Sequence, residues 1–120
     1  MGYESKIYLV RKSNFFDEDG KRFAEKIAEF NLSKVYGVSS ILRAMPKTDC
    51  YIYADDGDTE MLEDRYGDEL TECTPEKLIE LIEDQANKFD TYWRYNLILP
   101  CLREIAKLKD DKIYCLHFGY

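Results

Sequence analysis

The residues in this chain best placed to do chemistry are carboxylates. Residues 55–84 hold thirteen acids against two bases, Arg65 and Lys77, a local charge of −11. The other ninety residues hold fifteen bases against eleven acids, or +4, so the net charge of −7 originates in one stretch. Like charges at this density repel one another. Such a run is either a solvated face or a surface kept for a cationic partner, whether a basic protein or a divalent ion. Asp56-Gly57-Asp58-Thr59-Glu60 supplies oxygens at alternate positions, as a calcium loop does. Its sixth position is Met61, where the loop must turn on glycine, and its twelfth is Gly67, where a bidentate Glu is required, so this is not an EF-hand. A weak surface ion site at residues 55–60 is the most that the spacing allows, and no metal or cofactor is assigned.

Tyr53-Ala54-Asp55-Asp56 resembles the paired-aspartate hairpin of reverse transcriptases, where two carboxylates hold magnesium. The likeness is four residues long and lacks the rest of a polymerase. Nucleophilic catalysis would need His117, the only histidine, as base. Cys115 lies two residues away, on the same face of a strand. No glycine-rich elbow, oxyanion motif or phosphate loop accompanies the pair, so no catalytic residue is assigned. The four cysteines, at 50, 73, 101 and 115, lack the close spacing of a zinc knuckle or redox motif and read as small buried hydrophobes. Tyr92-Trp93-Arg94-Tyr95 is a further candidate surface: consecutive helical residues cannot all face a core, and these types concentrate in interface hot spots.

These groups need elements to hold them. Residues 6–12 alternate and are rich in strand formers, and Asp19-Gly20 signals a turn. Residues 21–35 carry two periods, and the strict alternation of 28–33 selects a strand paired with the first. Ser39 or Ser40 would cap a short helix over Ile41, Leu42 and Met45, stopped by Pro46. Residues 50–54 form a strand and 59–62 return from it through Asp56-Gly57, whereas 65–72 read as a polar loop. Thr74-Pro75-Glu76 is a helix start, and Leu78, Ile79, Ile82, Ala86 and Phe89 form its inward stripe. Asp90 or Thr91 opens another helix with Tyr95, Ile98, Leu102, Ile105 and Leu108 inward, kinked at Pro100 or starting there. Residues 113–118 close the chain as a strand. The order predicts one α+β domain over residues 1–120: a mostly antiparallel sheet of about five strands with two to three helices packed on one face.

The acidity argues against direct binding of nucleic acid, and no apolar run is long enough to span a membrane. The start lacks the regions of a secretion signal, so a cytoplasmic location is expected. Gly2-Tyr3-Glu4-Ser5-Lys6-Ile7-Tyr8, residues 49–59 and His117-Phe118-Gly119-Tyr120 are similar to small proteins encoded by phages and prophages of Gram-positive bacteria. That resemblance implies a mobile-element origin, in the cytoplasm of an infected host; phage genomes carry many small acidic proteins that block host defences, including anti-CRISPR proteins, some of which imitate the phosphate track of DNA. The expectation is an inhibitor and not an enzyme, presenting its acids to the basic channel of a host protein such as a CRISPR effector nuclease. The expected partner-binding residues are Asp55, Asp56, Asp58, Glu60, Glu63, Asp64, Asp68, Glu69 and Trp93. The alternatives are a phage accessory protein that docks or self-associates through its aromatic surface, and a small enzyme built on Cys115 and His117.

Overall fold

The computed structural model describes residues 4–33, 38–88 and 93–120. Two long strands, β1 (Ser5–Phe16) and β2 (Arg22–Ser33), form an antiparallel hairpin. Ile7 and Leu9 point to one side of β1, Tyr8 and Val10 to the other, and all four are buried, which explains why the strand is so apolar. Asp17 closes the turn by accepting from the amides of Asp19 and Lys21, both at 2.9 Å, while Gly20 takes a φ of +77° that costs other residues strain. Strand pairing therefore prevails over the helical spacing of Phe23, Ile27 and Phe30; Val35 lies outside the described residues.

From β2 the chain crosses through α1 (Val38–Arg43) to β3 (Cys50–Tyr53), which lies parallel to β2 at Arg22↔Cys50 and Phe23↔Tyr51. Strands β4 (Glu60–Met61) and β5 (Thr71–Cys73), helices α2 (Pro75–Lys88) and α3 (Trp93–Lys107), and β6 (Ile113–Gly119) complete the chain. The sheet order is β4-β3-β2-β1-β6-β5. The fold is α+β, as expected, but the sheet has six strands and is mixed. The parallel pair follows from the helical crossover, which brings the chain back in its original direction. The sixth strand, β5, lies where the sequence reads as a polar loop. Its three residues are too few for alternation to register, yet Thr71 and Cys73 point inward.

Helix α2 starts as its sequence dictates, with Thr74 Oγ1 accepting from the Lys77 amide at 3.2 Å. Helix α1 has already begun at Val38, so Ser39 and Ser40 are not its caps; Ser39 Oγ lies 2.6 Å from Ser5 Oγ instead. Helix α3 passes through Pro100 and buries Tyr95, Ile98, Leu99 and Leu102. Leu108 falls beyond its last turn and is exposed, contrary to its place in the expected stripe. The proposed inward position of Ala86, and Phe89, Asp90, Thr91 and Tyr92, lie outside what is described.

All three helices pack on one face, where Leu42, Leu78, Ile82 and Leu102 meet Ile7, Leu9 and Leu32. On the opposite face the β3–β4 arm sets Cys50, Ile52 and Met61 against Tyr8, Val10 and Leu116. No helix among the described residues is long and apolar enough to cross a membrane.

Candidate docking surface

The acidic arm is built from two tight turns. In the first, between β3 and β4, the Ala54 amide donates to Thr59 O at 2.8 Å and the Gly57 amide to Ala54 O at 2.9 Å, with Gly57 at φ +79°. Asp56 caps this turn, accepting from the Thr59 hydroxyl at 2.5 Å and from the amides of Asp58 and Thr59 at 2.9 Å. The Thr59 hydroxyl and these amides hold its carboxyl below the usual range. In the second turn, the Asp64 amide donates to Asp68 O at 2.8 Å and Asp64 Oδ1 accepts from the amides of Tyr66 and Asp68. This repeats the Asp-x-x-Gly arrangement of residues 17–20. It also sets Glu63 opposite Glu69 in an isolated antiparallel bridge.

The nine expected residues thus divide by what their side chains already do. Asp56 and Asp64 hold turns. Asp55 lies 3.5 Å from Lys26, and Asp68 lies 3.5 Å from Arg43. Asp58, Glu60, Glu63 and Glu69 are exposed and, among the described residues, make no ion pair. They occupy the β3–β4 tip, β4 and the turn that follows. The later acids of the stretch sit on a different element and are partly compensated: Glu80 lies 3.5 Å from Lys77, and Glu83 lies 2.8 Å from Arg103.

Trp93 lies elsewhere. At the start of α3 it borders a shallow cleft with Phe30, Arg94 and Leu97, and the Arg94 guanidinium stacks 4.9 Å from its ring centroid. Trp93 and Leu97 are 59% and 64% exposed. Beside them, beyond Phe23, no strand among the described residues pairs with the outer edge of β2.

Two buried polar groups escape the sequence reading. Lys12, 3% exposed, donates to Glu72 at 2.8 Å and Asp49 at 3.0 Å, with its ammonium 3.8 Å from the centre of the Tyr114 ring. Burial pulls this ammonium's pKa down, but hydrogen bonds to Glu72 and Asp49 more than reverse that and leave it raised. Lys12 falls on the same alternating face of β1 as Tyr8 and Val10, and that parity was the available signal, since its neighbours Arg11 and Ser13 are polar. Ser5, fully buried, links Ser39 Oγ to His117 Nε2 at 2.9 Å.

Cys115 and His117 do share a face, yet neither is tuned for nucleophilic attack. The Cys115 thiol is pushed well up by its hydrogen bond with Cys73, its partner across β5–β6, and by burial. Burial lowers His117 to about 4, a weak base. Among the described residues no cluster of His, Cys, Asp or Glu has the arrangement of a metal site. No family model, curated protein or solved structure matches the chain.

Proposed function

We propose that this protein is an acidic interaction protein whose β3–β4 arm docks on the nucleic-acid-binding surface of a basic protein. The observation that carries the reading is Glu63 opposite Glu69. Like charges directly across a bridge destabilise it. Asp58 and Glu60, on the same arm, are also uncompensated, so the fold bears a repulsion that a cationic partner would relieve. A basic channel that holds backbone phosphates offers that complement. Joined to the resemblance to phage and prophage proteins, the reading extends to an inhibitor of a host defence protein in the infected cell, of the anti-CRISPR kind.

The informative variant is narrower than reversal of the whole stretch. Asp56 and Asp64 hold turns, so changing them confounds charge with folding. Replacing Asp58, Glu60, Glu63 and Glu69 with Lys should leave the unfolding midpoint close to that of wild type: the new like-charge pair across the bridge repels as the old one did, while four cations ease the repulsion among the remaining acids. The same variant should lose inhibition of the target nuclease; inhibition at wild-type level contradicts the proposal.

Trp93 supports a second reading, an accessory protein that associates through the α3 surface. Its exposed ring, Leu97 and the open edge of β2 adjoin one another. Trp93→Ala would then lower the apparent mass in sedimentation, and added salt would not. A wild-type protein that sediments as a monomer removes self-association.

A further inference from the structure

A cleft of about 290 Å³ opens on the sheet face opposite the helices, between the β1–β6 ends and the β3–β4 arm. Its lining reverses the character of the chain: Lys6, Lys26 and Arg65 contribute three cations, against Asp55 alone. Arg65, one of only two bases in the −11 stretch, is fixed by its own backbone amide donating to Gly119 O at 3.0 Å. Its guanidinium makes no ion pair among the described residues. The lysines' ion pairs are long, Lys6 at 3.8 Å from Glu29 and Lys26 at 3.5 Å from Asp55.

Four aromatic rings, with Ile52, Ala54 and Met61, make up the remaining walls. Tyr8 meets Phe118 edge to face at 5.7 Å, and Phe118 and Tyr120 are tilted by 32° at 6.5 Å. Tyr53 faces them from the arm. Lys6 sits 4.8 Å from the centre of the Tyr120 ring, and Lys26 sits 5.3 Å from that of Tyr8. Cations bordering flat apolar faces suit a ligand that joins a planar ring to an anionic group. A guanidinium forks two hydrogen bonds onto a phosphate, while every nucleobase offers a face to stack on an aromatic ring. A cleft this small sits at the lower end of ligand sites, about 300 Å³, and has room for one nucleotide only.

We propose that this cleft binds a mononucleotide, with its phosphate on Arg65 and the two lysines and its base against Phe118 and Tyr120. The site does not rest on the docking arm's acids, and none of the four uncompensated ones lines it. The test is a nuclear magnetic resonance titration of the whole chain, isotope-labelled, with AMP, GMP, adenosine and inorganic phosphate. Saturable shifts at the amides of Arg65, Phe118 and Tyr120 are expected with AMP or GMP, and adenosine or phosphate alone should bind at least about tenfold more weakly. Arg65→Gln should weaken the nucleotide about tenfold with an unchanged unfolding midpoint, and Lys6→Gln should weaken it less. Equal binding of phosphate alone, an unaltered titration in both variants, or no saturation by either nucleotide overturns the assignment.

Discussion

His117 makes the fold sensitive to acid. It is buried at the junction of β1, β6 and α1 and bonded to Ser5; Asp64 favours its charged form and Arg43 opposes it, and burial outweighs both. Its pKa falls from 6.5 to about 4 through burial, so between those values the unfolded chain takes up a proton that the folded chain refuses. The stabilisation is therefore complete above about pH 6.5 and is lost as pH falls towards 4, with a size on the order of 3 kcal/mol. Protonation of surface acids acts in the opposite sense by easing repulsion, so the comparison must be between proteins. In urea unfolding, His117→Gln is expected to be less stable than wild type at pH 7. The gap should narrow as pH drops to 4, and a gap independent of pH would contradict this account.

Pro100 sets a second limit, at the scale of the helix. It stands inside α3 without an amide to donate to Asn96, and its ring is exposed, so it contributes little packing in return. An interior helical proline costs about 3 kcal/mol. Pro100→Ala is therefore expected to stabilise the protein by at least about 1 kcal/mol in the same assay, and a loss of stability would show that the proline fits a bend the fold requires. The elements that the sequence made legible were those with a local cause. The Asp-Gly turns, the Thr74-Pro75-Glu76 start and the alternation of β1 each act within a few residues. What escaped depends on distant chain. Strand β5 exists because Thr71 and Cys73 find His117 and Cys115 across the sheet, and the parallel β2–β3 pair needs a crossover that no local pattern encodes. The second Asp-x-x-Gly turn, at residues 64–67, was readable by comparison with residues 17–20, because the same side chain closes both.

At the scale of the whole molecule, charge is sorted by surface. Asp58, Glu60, Glu63 and Glu69 on the arm are uncompensated, the acids of α2 are partly paired with Lys77 and Arg103, and the aromatic cleft beside the arm carries three cations against one acid. The acidic run is legible in the sequence but this sorting is not, because which acids cap turns or meet a base depends on folding. Asp56 and Asp64 look identical to Asp58 in a charge count, yet their carboxylates hold turns and that of Asp58 does not. Association through such an arm is electrostatic and must weaken with salt, since exposed charges are screened beyond about 10 Å at 0.1 M. The most direct measurement immobilises wild type and the four-lysine variant, captures protein from host lysate at low salt, and elutes first with a DNA oligonucleotide and then with high salt. A basic protein held by wild type alone and released by the oligonucleotide is the predicted result. A partner held equally by the variant, or one that neither DNA nor salt displaces, would contradict docking on a nucleic-acid-binding surface.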